Sequence, residues 1–127
     1  MVKLNDNGTI VWAKAYGGSL DDEGVSAVAT SDGGFAIVGA TSSKDGDASG
    51  YHDGQGTEDI WVVKLTADGE RQWTRTIGGI NDDVGGSIIQ LTDGYVISGF
   101  TNSNDGDFSG SGYHGDYDIY VVKLFVQ

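Results

Sequence analysis

The chain has 127 residues, enough for one small domain spanning residues 1–127. Seven Lys and Arg against 19 Asp and Glu give a net charge of −12, which disfavours nucleic acid and anionic membranes and favours cations. The chain has no cysteine, which excludes disulfides and thiolate zinc sites, and no apolar run approaches the ~20 residues of a membrane span.

Short alternating apolar runs between glycine-rich turns predict an all-β chain with eight strands, and no segment has a helical period. The strands are expected at residues 10–15, 25–30, 35–40, 60–65, 72–76, 87–91, 95–100 and 119–125. Four dipeptides supply the positive φ that tight hairpin turns require. They are Asn7-Gly8, Asp32-Gly33, Asp68-Gly69 and Asp93-Gly94.

The sequence repeats itself once, at an offset of 61 residues. "VKLNDNGTIVWAKAYGG", from Val2, aligns with "VKLTADGERQWTRTIGG", from Val63, and pairs Trp12 with Trp73. Farther along, "SDGGFAIVGATSS" aligns with "TDGYVISGFTNS", and "DIWVVKL" with "DIYVVKL". Four antiparallel strands in about 60 residues, repeated in tandem, are typical of β-propeller blades. We therefore expect two four-stranded blades, at about residues 3–65 and 66–127, with a two-sheet sandwich as the alternative.

Two blades cannot close a ring, because propellers need at least about four. Unpaired blades would leave strand edges and apolar faces exposed. We therefore expect a homo-oligomer that completes a ring of about six or eight blades. Gly39 and Gly99, inside the third strands, are expected where neighbouring sheets approach closely.

Several of these motifs resemble a known repeat. The patterns W-x-[KR]-x-x-GG, DGG-[FY]-x-[IV]-x-G-x-T-x-S, DGD-x-SG and DIWVVKL are similar to a repeat of large exported or surface-attached bacterial and archaeal proteins. "ADGERQW" more weakly resembles the tryptophan-docking strand of quinoprotein-type propellers. The resemblance implies a propeller fold and a secreted or cell-surface setting, although "MVKLNDNGTI" lacks a signal-peptide pattern. The two copies, about residues 3–65 and 66–127, are called repeat 1 and repeat 2. Repeat 2 departs from the family pattern, with one glycine after Asp93 and with Tyr120 in place of Trp.

Two acidic loops, "DGDASGYHD" and "DGDFSGSGYHGD", alternate oxygen-bearing side chains around a glycine. Calcium is bound by several such oxygens from one folded-back segment. The predicted calcium ligands are Asp45, Asp47, Ser49 and Asp53 in the first loop and Asp105, Asp107, Ser109 and Asp116 in the second. The alternative, favoured because the bidentate glutamate of an EF-hand is absent, is that these residues form turns and accept backbone N–H bonds.

The histidines His52 and His114 lie beside Tyr51 and Tyr113 in these loops. The favoured interpretation is a loop histidine that bonds to backbone, with a metal ligand or a sugar-facing edge as the alternative.

The paired aspartates and the tryptophans also have a structural and a functional interpretation. Asp21-Asp22 and Asp82-Asp83 could be glycosidase carboxylates, but their recurrence with the repeat favours an architectural task such as holding a turn or an inter-blade contact. Trp12, Trp61 and Trp73 are expected in blade cores rather than on a sugar platform.

These patterns predict a non-enzymatic structural or interaction module that assembles with itself, with calcium binding in its acidic loops as a hypothesis beside the favoured turn interpretation. The alternative is a carbohydrate-binding lectin with repeated glycan sites between blades. A cofactor-bearing propeller enzyme is a weaker third hypothesis. The near-identity of the repeats and the abrupt ends suggest an excised or engineered chain.

Overall fold

The computed structural model describes residues 1–52 and 57–126. These residues form nine strands and one short 3-10 helix, Gly106–Phe108. The strands are β1 Val2–Leu4, β2 Ile10–Ala13, β3 Asp22–Ala29, β4 Phe35–Thr41, β5 Asp59–Leu65, β6 Arg71–Ile77, β7 Asp83–Leu91, β8 Gly94–Thr101 and β9 Asp118–Phe125. The all-β prediction is confirmed. Within the described residues, no helix is long and apolar enough to cross a membrane.

The strands form three antiparallel sheets, which differ from the two four-stranded sheets expected. Sheet A is β1-β2, sheet B is β3-β4-β5-β6, and sheet C is β7-β8-β9. Strand β6 belongs to repeat 2 in sequence but pairs with β5 of repeat 1. The four-stranded sheet therefore continues past residue 65, where the predicted blade boundary falls, and ends at Ile77.

The hairpin of sheet A copies the end of the β5-β6 hairpin. Lys3 lies opposite Trp12 in the first, and Lys64 lies opposite Trp73 in the second. Each pairing then shifts register at the following leucine. Sheet A thus contains the last two strand positions of a four-stranded unit, whereas sheet C contains the first three.

Turn chemistry places these hairpins as predicted. The four dipeptides connect β1 to β2, β3 to β4, β5 to β6 and β7 to β8. Gly33 and Gly69 have φ of 81° and 76°, a region that glycine enters without a Cβ clash. The Asp32 carboxylate accepts the N–H of Gly34 at 3.1 Å. In this turn, the glycine therefore allows the bend and the aspartate holds it with a hydrogen bond.

Sheet B lies between the other two sheets and buries both of its faces. Ile60 and Val62 of β5 pack in a cluster with side chains of sheet C. Trp61, Val63 and Leu65 point the other way, into a second cluster that includes Met1 and Trp12. All seven residues of β5 are buried, as expected for a strand covered on both sides.

One aromatic contact occurs at both sheet interfaces. Trp12 of β2 meets Phe35 of β4 edge to face at 5.9 Å, and Trp73 of β6 meets Tyr95 of β8 in the same way at 6.0 Å. The four residues occupy equivalent positions in the repeats. Sheet B therefore stacks on sheet A, and sheet C on sheet B, through the same contact.

The glycines of the third predicted strands leave room for the neighbouring strand of their own sheet. A Cβ on Gly39 would lie 1.9 Å from the backbone oxygen of Glu23, and one on Gly99 would lie 2.0 Å from that of Val84. Both obstacles belong to the neighbouring strand of the same sheet, beside a register shift. At both glycines the closest approach is therefore between strands of one sheet at a bulge. At Gly39 the neighbouring sheet is close as well, since a Cβ on Gly85 of β7 would lie 3.0 Å from the Gly39 oxygen.

This geometry predicts that Gly39→Ala is strongly destabilising. The new methyl group would overlap a backbone oxygen that cannot rotate away, and overpacking of this kind costs about 1–3 kcal/mol. The matched control is Gly86→Ala, whose Cβ would lie 3.4 Å from the oxygen of Ser98, an ordinary contact. Urea unfolding of the two variants checks the prediction, and equal losses of stability would contradict it.

Candidate functional site

Each repeat builds one polar network at the point where its glycine pair meets its acidic loop. In repeat 1, Asp22 accepts bonds from the hydroxyls of Thr41 and Ser43, the latter at 3.0 Å. The backbone N–H of Gly18 donates to the same carboxylate at 2.7 Å. Leu20 N–H bonds to the Ser43 hydroxyl at 3.0 Å. Asp22 thus joins the glycine turn to the end of β4.

Repeat 2 reproduces this network with the carboxylate fully buried. Asp83 accepts the hydroxyls of Thr101 and Ser103, the latter at 2.9 Å. Gly79 N–H donates to it at 2.8 Å, and Asn81 N–H bonds to the Ser103 hydroxyl at 3.1 Å. Of the two architectural tasks considered for the aspartate pairs, Asp22 and Asp83 therefore hold a turn.

The other member of each pair, Asp21 or Asp82, takes a different part. Their backbone oxygens accept the N–H of Ser42 and Asn102, at 2.9 and 2.8 Å. The Asp82 carboxylate also accepts the N–H of Glu58 at 3.2 Å. Each Asp-Asp pair is therefore divided between two tasks.

The first acidic loop folds back onto the glycine turn of repeat 1. Asp45 accepts the N–H of Ser19 at 2.8 Å, and Asp47 accepts the N–H of Gly17 at 3.2 Å. Asp47 N–H in turn donates to the Gly17 oxygen at 2.9 Å. Arg71 Nε lies 3.0 Å from the Asp47 carboxylate. Two predicted calcium ligands thus bind separate backbone groups.

The second acidic loop makes the same bonds. Asp105 accepts the N–H of Ile80 at 3.0 Å, and Asp107 accepts that of Gly78 at 3.2 Å. Asp107 N–H donates to the Gly78 oxygen at 2.9 Å. The duplicated loop sequence therefore folds into a duplicated set of carboxylate-to-backbone bonds.

The other predicted calcium ligands that the structure describes, Ser49, Ser109 and Asp116, take part in further hydrogen bonds. The backbone oxygen of Ser49 accepts the Thr76 hydroxyl at 3.1 Å, and the Ser109 hydroxyl donates to the Gly106 backbone oxygen at 2.9 Å. Asp116 has φ of 54°, and its backbone oxygen accepts the Tyr113 hydroxyl at 3.0 Å. Asp53 lies outside the described residues. Among the residues that are described, no three His, Cys, Asp or Glu side chains group around a common metal position.

Calcium binding stays a prediction, and thermal stability tests it. A ligand that binds only the folded chain raises the melting temperature, so calcium in the acidic loops predicts a higher melting temperature in millimolar calcium than in chelator. The variant Asp45→Asn combined with Asp105→Asn should remove that difference. A wild-type melting temperature equal in calcium and chelator would instead assign these carboxylates to backbone bonding alone.

A pair of buried carboxylates, not singled out in the sequence, lies between sheets B and C. Asp59 and Asp83 are both fully buried. A Cβ on Gly78 would come within 2.5 Å of Asp59 Oδ1 and 2.9 Å of Asp83 Oδ2, so the glycine leaves room for both. Asp59 Oδ2 accepts the backbone N–H of His52 at 2.7 Å and faces its Nδ1 at 2.9 Å. Asp59 Oδ1 has no hydrogen-bond partner among the described residues.

Burial shifts the acidity of this pair. Loss of hydration raises the pKa of Asp59, an effect that the bonds from His52 oppose and the nearby Asp83 charge increases. Burial likewise raises the pKa of Asp83, against the opposing bonds from Thr101, Gly79 and Ser103. The sequence signal for Asp59 is that both "DIWVVKL" and "DIYVVKL" begin with aspartate, but its partner is brought to it only by sheet stacking.

The raised pKa values predict how stability depends on pH. The folded chain holds these protons more tightly than the unfolded chain does. The stability contributed by the two groups is therefore complete below the ordinary carboxyl pKa of about 4 and is lost as pH rises through the raised values. Asp59→Asn removes one titration, so its stability relative to wild type should increase between about pH 4 and pH 7. Urea unfolding across this range is the measurement.

The control for this experiment is Asp118→Asn. Asp118 is the counterpart of Asp59 in repeat 2, but its side chain is 25% exposed. The substitution makes the same chemical change outside the buried pair. If Asp59→Asn and wild type had the same pH dependence, the argument from burial would be wrong.

The two histidines each pair with the aspartate that begins the next strand. His52 lies between Asp59 and Asp107, with Nε2 3.6 Å from the latter carboxylate. In repeat 2, the His114 N–H donates to Asp118 at 2.6 Å, while the ring Nδ1 is 3.6 Å away and the side chain is 86% exposed. The histidine rings were expected to bond to the backbone, whereas in the structure each ring faces an aspartate carboxylate.

The aromatic side chains considered for sugar binding are engaged in packing or hydrogen bonds. Trp61 is buried, and Trp12 and Trp73 form the inter-sheet contacts described above. The Tyr51 hydroxyl donates to the Thr57 oxygen, and that of Tyr113 to Asn102 Oδ1, both at 2.7 Å. These positions match the core interpretation of the tryptophans.

The site and fold define an all-β repeat whose polar residues hold the connections between sheets. No protein-family model matches the chain. A curated relative, the regulatory protein FlaEY of Caulobacter vibrioides, is 27% identical over 126 residues. The match covers 95% of this chain and 13% of the relative, so the chain spans about an eighth of that protein's length.

Proposed function

We propose that the chain is a non-enzymatic structural module that assembles with copies of itself into a propeller-like ring. The observation that carries the proposal is an outward apolar face on sheet C whose counterpart on sheet B is buried inside the chain. In this proposal, sheets A, B and C are successive blade positions, and neighbouring chains complete the blades that sheets A and C leave partial.

The repeated sheet interface supports self-association. The contacts Trp12–Phe35 and Trp73–Tyr95 show that one sheet can bind the next on either side in the same manner. The two opposite faces of such a repeat are complementary to each other, and head-to-tail contacts of this type generate rings or filaments.

The exposure of β9 supports it further. Ile60 and Val62 of β5 are 0% exposed because sheet C covers them. Their counterparts in β9, Ile119 and Val121, are 86% and 69% exposed. Phe100 and Tyr117, in contact at 5.2 Å, add aromatic area that is also exposed. Apolar patches of this kind mark association surfaces.

The polar networks support a structural role for the acidic residues. Asp22 and Asp83 bind hydroxyls and backbone N–H groups in both repeats. Identical use in two places is typical of architecture, whereas catalysis normally needs one asymmetric constellation. The relative named as a regulatory protein contains the matching segment as a small part of its length, which fits a module within larger chains.

Absolute mass in solution tests the proposal. We expect light scattering after size exclusion to give a multiple of 13.3 kDa that persists on dilution into the micromolar range. Hydrophobic association weakens when charge enters the contact face, so Val121→Asp should lower the mass. A wild-type species of 13.3 kDa at all concentrations would contradict self-assembly and return attention to the glycan-binding alternative.

A further inference from the structure

We propose that this self-assembly proceeds by strand exchange, in which β9 of one chain replaces β1 beside β2 of a second chain. The inference rests on the proposed function and names the segments that carry it. Strand β2 of the second chain would then be the fourth strand of sheet C of the first chain. This pairing would place sheet C of the first chain against sheet B of the second.

The two competing strands have matching sequences. Residues 121–124 of β9 read "VVKL", and residues 1–4 read "MVKL". Both correspond to "VVKL" at residues 62–65 of β5, which pairs with β6 in the same register as β1 with β2. By that template, Lys123 takes the position of Lys3 opposite Trp12.

β9 offers a longer pairing than β1 does. β1 has three residues, and Met1 adds one further bonded pair with Lys14, at 2.7 and 2.9 Å. The template continues to Ile60 opposite Ile77, which corresponds to Ile119 opposite Tyr16. Exchange therefore extends the ladder by two residue pairs, Tyr120–Ala15 and Ile119–Tyr16.

A cavity lies where the additional residues of β9 would enter. It has a volume of about 440 Å³ and is lined in part by Met1, Tyr16, Gly24, Ile37 and Trp61. The cavity is more apolar than polar in its lining, between sheets A and B. It borders the end of β1, so a strand that continued beyond the position of Met1 would fill it.

The internal interface shows what fits at this position. Gly85 of β7 is the counterpart of Gly24 in β3. A Cβ on Gly85 would lie 3.2 Å from Ile60 Cγ2 and 2.3 Å from Val38 Cγ2, both from sheet B, the sheet stacked on it. At Gly24 the corresponding Cβ would meet only Ile37 Cγ2, at 3.3 Å, from its own sheet. Gly85 thus faces an isoleucine of the stacked sheet, whereas the corresponding side of Gly24 is open.

The exposed side chains of β9 match the open site. Ile119 is the counterpart of Ile60, and Val121 is the counterpart of Val62. Donor strand and acceptor cavity therefore occur on one chain, at opposite ends of the stack of sheets. A single chain cannot satisfy both, because sheet B separates sheets A and C.

The polar groups at the same edge are also complementary. His114 and Asp118 occupy the positions of His52 and Asp59 in repeat 2. The His114 side chain is exposed and that of Asp118 is partly exposed, whereas Asp59 is buried. In the exchanged assembly they would face Gly17 and Asp22 of the second chain, which are the counterparts of Gly78 and Asp83. The His-Asp pair would then be covered in both repeats.

Engineered disulfides test the exchange, since the natural chain has no cysteine. Met1 and Lys14 exchange both backbone bonds, so the next pair, Val2 and Ala13, is a non-hydrogen-bonded pair whose Cα atoms lie about 4.5 Å apart. That distance suits a disulfide. In the exchanged register Val122 takes the position of Val2, so Ala13→Cys combined with Val122→Cys should link chains covalently. Non-reducing electrophoresis should then show multiples of the 13.3 kDa chain.

The matched control is Val2→Cys combined with Ala13→Cys, which closes within one chain only while β1 stays beside β2. We expect poor closure in the assembled fraction. Efficient closure there, with no covalent ladder from Ala13→Cys/Val122→Cys, would show that chains associate without exchange, which overturns this inference and leaves the proposed function intact. A wild-type protein of single-chain mass would overturn both. Circular dichroism of each variant, compared with wild type, confirms that the cysteines have not unfolded the chain.

Discussion

The burial of β5 on both faces is the constraint on which the rest of the structure depends. Its sequence, "DIWVVKL", carries large apolar side chains at consecutive positions, so neither face of the strand can be left to water. Each aliphatic or aromatic side chain buried contributes about 1.5–3 kcal/mol. Sheet C covers Ile60 and Val62, and sheet A covers Trp61, Val63 and Leu65. The three-sheet stack is therefore the arrangement that this one strand requires.

Polar residues at both ends of β5 are buried with it and have specific partners. Lys64 is 4% exposed and donates to Asp32, Gln72 and the Leu65 oxygen, at distances of 2.9 to 3.1 Å. Asp59, at the other end, binds His52. Since a buried charge is tolerated only when it is paired, these contacts fix where the strand begins and ends in the stack. The sheet interface is thereby aligned by polar bonds and stabilised by apolar area.

The sequence allowed the strands and turns to be predicted because both depend on local chemistry. Asp32-Gly33 and Asp68-Gly69 specify tight turns on their own, and alternation specifies the strands between them. The grouping of strands into sheets was not predictable in the same way. In a periodic sequence, "VKL" at residues 2–4 has the same letters as the end of β5, and nothing local marks it as a separate three-residue strand. The Asp59–Asp83 pair was missed because its members come from different repeats and meet only after stacking.

The near-identity of β5 and β9 connects sequence repetition to the proposed assembly. A strand sequence that needs two covered faces occurs twice, but among the described residues only β5 has both faces covered. β9 buries Tyr120 against sheet B and leaves Ile119 and Val121 in solvent, at a cost that β5 avoids. The acidic loops do not relieve this cost, because their carboxylates bind the glycine turns that join one sheet to the next. The net charge of −12 opposes indiscriminate aggregation through the same face, since like-charged chains repel unless their surfaces fit closely. In the proposed assembly, shape complementarity at Gly24, rather than apolar area alone, decides which neighbour covers β9.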